Sequence, residues 1–435
     1  MNNINKISNK TLAAIIIGNA LEWYDFVVYS FLTVFIAKLF FPTTHATTAL
    51  LSATATVGVA FFMRPLGGIV LGAYADRCGR KAAMMIIISI MTVATMMMVF
   101  APTFAQAGMF ATAMIVIARL LQGFSAGGEF GTSTAMLIEL SPAQQRGFYA
   151  SWQMSGQMCA LLIGALLGML LTNFLTTAQM ETWGWRVPFI LGLLIAPLGM
   201  YLRLHVNDMP LLRDAQHSSQ KKIISAIKQK VQRQFSDILI AMGILVGATA
   251  ASYINIAYMP TYVTRHLNLS MQEAFAALVI SLLGMLVIIP LFGALSDRIG
   301  RKRILITAIT LYLLSIYPLF AWLTAAPSLS KLIFTQFISC ALLAMYVSVL
   351  PAMMAELFPR HVRSLGLSIS HNFCVMLFGG FAQFIVTWLI NLTATSFAMI
   401  YYLLATSAIS LLTAIFYREK KVIEMQLADE LEAAA

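Results

Sequence analysis

Residues 72–81 read GAYADRCGRK, and residues 293–302 read GALSDRIGRK. Both follow the pattern G-x-x-x-D-R-x-G-R-K, with Asp76 and Asp297 lying 221 positions apart. Each copy sits where one long apolar run ends and another begins. A ten-residue pattern repeated half a chain apart, each time between apolar runs, marks the duplication of one membrane-embedded unit. A second echo agrees: Glu139, Pro142 and Arg146 match Glu356, Pro359 and Arg363, each at an offset of 217.

Working outward from these loops, the 435 residues are 60% hydrophobic and only 10% charged. A soluble domain has about 25% charged residues. Many of the apolar runs exceed the ~20 residues that a membrane-spanning helix needs. The first six fall near 11–41, 48–75, 82–100, 110–140, 149–174 and 184–205. The second six fall near 237–262, 272–295, 304–323, 331–357, 364–390 and 396–417. The expected fold class is an all-α membrane protein, with twelve transmembrane helices in two six-helix lobes related by pseudo-two-fold symmetry. The expected divisions are a first lobe at 1–205, a linker at 206–236, a second lobe at 237–420 and a tail at 421–435. Within the linker, Ile223, Ile224, Ile227 and Val231 share one helical face with lysines around them. That pattern is a short amphipathic helix on the inner membrane surface or a solvated connection.

The net charge of +11 has a topological origin. If the chain crosses twelve times from a cytoplasmic start, 22 of its 28 Lys and Arg fall on one side. Lys38, Arg186, Arg265 and Lys331 fall on the other side, and Arg64 and Arg119 lie inside apolar runs. This asymmetry predicts a multi-pass protein of the cell inner membrane with both termini cytoplasmic. No nucleic-acid partner is needed to explain it. The four cysteines form no C-x-x-C pair, and no metal spacing, Walker loop or nucleophile arrangement is present. Neither metal, cofactor nor enzymatic activity is expected. The 27 methionines are spread through apolar runs and read as core.

A charge in the hydrocarbon layer costs at least ~2.5–3.5 kcal/mol, so it usually faces a cavity or a partner. Five such residues stand out, all in the first half: Glu22, Asp25, Arg64, Arg119 and Glu129. Glu22 and Asp25 are about 60° apart on a helix, with Asn19 and Tyr29 on the same stripe. Arg119, Gln122, Ala126, Glu129 and Ser133 share a face of the fourth run within about 80°. Two polar stripes on apolar helices are what a central aqueous cavity requires. Two neighbouring acids in a low dielectric cannot both ionise cheaply, so Asp25, Glu22 and then Glu129 are the candidate proton carriers. Arg64 and Arg119 remain charged and can grip a carboxylate with paired hydrogen bonds. The competing reading makes both arginines buried struts and Glu129 a gate or packing contact beside Gly127 and Gly128. Neutral groups complete the candidate binding set. They are Gln153 and Gln157 on the fifth run, Tyr253, Asn255 and Tyr258 on the seventh, Tyr346 on the tenth, and His371 and Asn372 on the eleventh. Each has a bland alternative, the satisfaction of a neighbouring helix.

The twin loop motifs, the Glu-x-x-Pro echo and the central linker resemble the major facilitator superfamily over essentially the whole chain. More narrowly, EWYDF at 22–26, MRPLGG at 63–68, RLLQG at 119–123, Gly127, Gly128 and Glu129, and GWRVPF at 184–189 resemble its metabolite:proton symporter family. The resemblance implies a monomeric importer that couples proton flow to uptake of citrate, another carboxylate, or proline and betaine. It also implies that the motif loops latch the cytoplasmic side. Gly72, Asp76, Arg77, Arg80, Gly293, Asp297, Arg298 and Arg301 then form the gate, joined by Glu139, Arg146, Glu356 and Arg363. One departure is Asp208-Met209-Pro210, where many members have Glu-Ser-Pro. The fifth run lacks the Gly-Pro pair of drug–proton antiporters, which favours symport over efflux. A transporter-like sensor is the remaining alternative.

Overall fold

The computed structural model describes residues 9–42, 46–78, 80–194, 234–359 and 363–417. The expected amphipathic helix at 223–231 lies outside the described residues, as does the Asp208 position. Among the described residues, twelve main helices follow one another, with short helical turns at Phe104–Ala107 and Thr177–Thr182 between them. Helix α1 is Asn9–Phe31 continued by Thr33–Phe40, α2 is Ala46–Cys78 and α3 is Arg80–Phe100. Helix α4 is Met109–Ala126 resumed at Glu129–Leu140, α5 is Arg146–Phe174, and α6 is Gly184–Leu194. In the second half, α7 is Phe235–His266, α8 Met271–Ile299, α9 Arg301–Ala325 and α10 Leu329–Leu357. Helix α11 runs from Arg363–Val375 through Ala382–Thr393, and α12 is Ala398–Phe416. Nine of these are long and apolar enough to cross a bilayer alone, and bent α1 is a tenth. The described apolar parts of α3 and α6 are shorter, at Met85–Phe100 and Gly184–Leu194. This is the all-α, twelve-helix architecture that the run pattern predicts.

Local chemistry explains where these helices bend. The two parts of α1 meet at 68° around Leu32. Just beyond it the Thr33 hydroxyl donates to the carbonyls of Ser30 (2.8 Å) and Tyr29 (3.2 Å), a back-bond that competes with the helical ladder. Helices α7 and α11 each contain a π-helical turn, at Tyr253–Tyr258 and Met376–Gly380. The two turns touch: a Cβ at Gly379 would stand 2.7 Å from the Tyr253 ring. Such turns are often found at functional sites. Between α8 and α9 a single residue, Gly300, turns the chain at φ +96°, a conformation that L side chains rarely adopt.

Glycine has a second use between α2 and α4. A Cβ at Gly67 would fall 1.8 Å from the Phe124 carbonyl oxygen, and one at Gly123 would fall 1.6 Å from that of Ala60. The MRPLGG and RLLQG stretches are therefore the two faces of one backbone-to-backbone contact. Across the molecule, α5 packs along α8 and beside α10, α2 and α4 pack against α11, and α1 meets the π turn of α7. The seam between the halves thus runs between α1, α2, α4 and α5 on one side and α7, α8, α10 and α11 on the other.

Candidate functional site

A cavity opens on this seam. Both halves build it. Trp23 and Val27 of α1, Phe130 of α4, and Met154, Gln157, Met158 and Leu161 of α5 form one wall. The opposite wall comes from α7 (including Thr249, Ser252 and Tyr253), α10 (including Leu350 and Pro351) and α11 (His371 and Val375). The lining is mainly apolar, with a few hydroxyls, one amide and one imidazole. Trp23 and Tyr253 face each other with ring centroids 6.2 Å apart.

Arg64 sits behind this aromatic pair. Its guanidinium carbon is 5.6 Å from the Trp23 ring centroid and 5.2 Å from that of Phe61, and Phe61 meets Tyr253 edge-on at 5.2 Å. Arg119 is fully buried, lies 4.5 Å from the Tyr29 ring centroid, and donates to the Gln122 side-chain oxygen at 2.8 Å. Arg119 is within electrostatic reach of Arg64 and Tyr253. Aromatic faces suit guanidinium planes and hold them in fixed orientation. The expected grouping of Arg64, Arg119, Gln122 and Tyr29 is thus brought together, just beyond the cavity lining.

The expected polar stripe of α1 does not face one way. Asn19 accepts from the Gln157 amide at 3.0 Å, on the cavity side. Asp25 is 6% exposed and faces α3 and α6: Thr95 donates to its Oδ2 at 3.2 Å, and a Cβ at Gly192 would fall 2.0 Å from its Oδ1. Neighbouring Tyr24 donates to the Pro188 carbonyl at 2.9 Å, tying α1 to α6. The reason is angular. The cavity residues Trp23 and Val27 are four apart, and Asp25, two from each, is turned roughly 200° away from both. Sequence reasoning missed Trp23 and Val27 because they are apolar; their i, i+4 spacing was the available signal. Glu22 has no described side chain. Glu129 is half-buried and opens the second segment of α4.

Several neutral candidates are used inside one half. Gln153 accepts from Thr134 at 2.8 Å and donates to Ser133 at 3.3 Å, joining α5 to α4. Asn255 donates to Tyr312 at 2.7 Å, Tyr258 pairs with Thr387 at 3.1 Å, and Tyr346 donates to the Ile244 carbonyl at 2.5 Å. These four satisfy neighbouring helices and do not line the cavity. Gln157, Tyr253 and His371 do line it, and Asn372 crosses the seam, donating to the Gly127 carbonyl at 2.8 Å.

The second motif copy closes one end of the seam. Asp297 accepts from the backbone N–H of Gly147 (2.8 Å) and Phe148 (3.0 Å), the exposed donors at the start of α5. A carboxylate at a helix N-terminus is favoured by both the free N–H groups and the dipole. Arg301 pairs with Asp297 at 3.2 Å and with Glu356 at close range. Gly293 lets α8 approach Ser151, and Arg363 donates to the Ala355 carbonyl at 2.8 Å. Arg298 is exposed, and Arg146 is half-buried at the first position of α5. Gly72 lies within α2, and the side chains of Asp76, Arg77, Arg80 and Glu139 lie outside the described residues. At the opposite end, Phe31 of α1 meets Phe275 of α8 edge-on at 5.7 Å, so both ends of the seam have contacts across it.

Residues 10–431 match the family model for sugar (and other) transporters. The chain is 35% identical to the citrate-proton symporter of Salmonella typhi, over 86% of each chain. It is 30% identical to the glycine betaine/proline/ectoine/pipecolic acid transporter OusA of Dickeya dadantii, covering 94% of this chain and 83% of that one. Among solved structures it resembles the major facilitator superfamily proton:xylose symporter XylE bound to 6-bromo-6-deoxy-D-glucose, with a TM-score of 0.78. That match has 17% identity and covers 96% of this chain and 98% of the other.

Proposed function

Because the chain belongs to the sugar (and other) transporter family of major facilitators, we propose that it is a proton-coupled symporter importing a small organic carboxylate. The observation that carries this reading is the pairing of Arg64 and Arg119 on aromatic rings beside a cavity shared by both halves. The substrate's carboxylate approaches the arginine side of the cavity, where guanidinium charge and geometry favour it. Its apolar or hydroxylated body lies along the walls of α5, α7 and α10. Di- and tricarboxylates of the citrate class are the first candidates, in line with the citrate-proton symporter at 35% identity. Transport proceeds by rocking one six-helix lobe against the other about the cavity.

Asp25 is the proposed proton site, with Glu22 the neighbouring candidate and Glu129 the third. It is enclosed among α1, α3 and α6, so it exchanges a proton only when those helices admit water. That makes protonation follow helix movement, which coupling requires. The Asp297 latch is assigned to the cytoplasmic end, with both termini on that side and the protein in the cell inner membrane. On this assignment, Asp297 seated on the N-terminus of α5 keeps access from the cytoplasm closed until it leaves. The chain is proposed to work as a monomer, with each copy containing a complete cavity.

A second reading has its own observation. The Trp23–Tyr253 pair and the apolar lining suit a methylated ammonium group through cation–π contact. A zwitterionic osmolyte of the proline or betaine kind would use the same arginine side for its carboxylate. Proteoliposomes with an imposed inward proton gradient test both. Accumulation of radiolabelled citrate, or of betaine, selects between them. Gradient-driven expulsion in place of uptake overturns symport, and saturable binding without flux makes the protein a sensor.

A further inference from the structure

We infer that His371 is the second lobe's ligand for the substrate carboxylate, presented by its stack on Phe130 of the first lobe. This rests on the transport reading above and adds the residue that completes the grip from the other side. The charged groups proposed for the site all come from the first half. Among the described lining residues there is no Asp, Glu, Lys or Arg, and His371 is the one imidazole. It is 6% exposed, and its ring stacks on Phe130 with centroids 3.5 Å apart and planes 9° apart. A stacked ring is held in its plane and can act only through its edge. One edge atom, Nδ1, is enclosed and makes no hydrogen bond of good geometry among the described residues, although the Asn372 side chain lies close to the ring. Nε2 is the ring's other edge nitrogen, and as N–H it is a donor suited to a carboxylate oxygen. Arg64 lies within electrostatic reach of the same imidazole, so one anion can answer both groups.

The placement also explains the stack. Next to it, Asn372 donates to the Gly127 carbonyl, holding α11 on the break of α4. The two contacts cross the seam between the cavity and the Asp297 latch. A carboxylate bound to Nε2 would fix the imidazole on Phe130 while the cytoplasmic end is closed. Release would require that the stack part, because Phe130 and His371 belong to different lobes.

The test separates the two ring nitrogens. A glutamine amide reaches the Nε2 position, whereas an asparagine amide reaches only Nδ1. The purified full-length protein and its His371→Gln, His371→Asn and His371→Ala variants would be titrated with citrate and with glycine betaine by calorimetry and thermal shift. For whichever probe binds, Asn and Ala are expected to weaken binding about tenfold, and Gln to stay within about threefold of the parent. Ligand-free melting temperatures of the Gln and Asn variants should stay close to the parent's. Unchanged affinity in the Ala variant overturns the assignment. So does a Gln variant as weak as Asn, or a fall in ligand-free melting common to both, which would mark a structural histidine. Binding of neither probe by the parent overturns the transport reading, and this inference with it.

Discussion

Arg64 and Arg119 are held by rings as much as by charge, and that decides how their substitution should read. Changing either to Gln is expected to abolish uptake of citrate-class substrates in proteoliposomes. Loss of transport alone does not separate an anion grip from a buried strut, because breaking a buried pair costs ~3–5 kcal/mol by itself. The two differ in melting behaviour. For a grip, the ligand-free melting temperature stays close to the parent's and ligand-induced stabilisation disappears; for a strut, the ligand-free protein itself melts earlier. Asp25 has a different expected signature. Asp25→Asn should retain substrate exchange and lose proton-driven accumulation, and unchanged accumulation would remove it from the coupling role. The carboxyl's position between Thr95 and Gly192 makes this test specific to the α1–α3–α6 contact.

At the scale of elements, the molecule separates packing polarity from cavity polarity. Asn255 is hydrogen-bonded within its own half to Tyr312 and to the Ala251 carbonyl. Asn255→Ala should therefore lower stability by about 1–3 kcal/mol, by leaving buried partners unsatisfied, with substrate KM unchanged. A lowered melting temperature with unaltered uptake affinity would bear this out. The α2–α4 contact is more demanding. A methyl group at Gly123 meets the Ala60 carbonyl, backbone that cannot swing aside. Gly123→Ala should cost about 1–3 kcal/mol or more and reduce the yield of folded protein on size-exclusion chromatography. Normal yield and melting would show that α2 and α4 can separate without loss.

For the whole molecule, the relevant quantity is the balance between open and closed ends. Asp297 joins the halves by accepting from two N–H groups at the start of α5. Asp297→Asn removes the charge and leaves one acceptor oxygen, so the latched-to-open ratio should fall on the order of tenfold, about 1.4 kcal/mol. Ser151 is buried against Gly293 at this contact and offers a reporter. In a background with its native cysteines replaced, Ser151→Cys should react with a thiol reagent faster when combined with Asp297→Asn. An unchanged rate would mean that the latch contributes little to closure.

The sequence by itself determined the membrane class, the number of helices and the duplication. These depend on local properties: run length, charge asymmetry and a motif repeated at constant offset. It also placed the arginines near the site, because a permanent charge in an apolar run has few tolerable environments. Only the tertiary structure decided which polar residues look inward. Asn19, Asp25 and Tyr29 read as one stripe, yet small angular steps along a bent helix send them to α5, to α3 and α6, and toward Arg119. Asn255, Tyr258 and Tyr346 were indistinguishable from ligands in the sequence because a hydroxyl or amide serves a neighbouring helix as well as a substrate. The aromatic and aliphatic wall of Trp23, Phe130 and Met154 was invisible for the opposite reason. Apolar residues are everywhere in such a chain, and only packing shows which of them meet a cavity and which meet lipid.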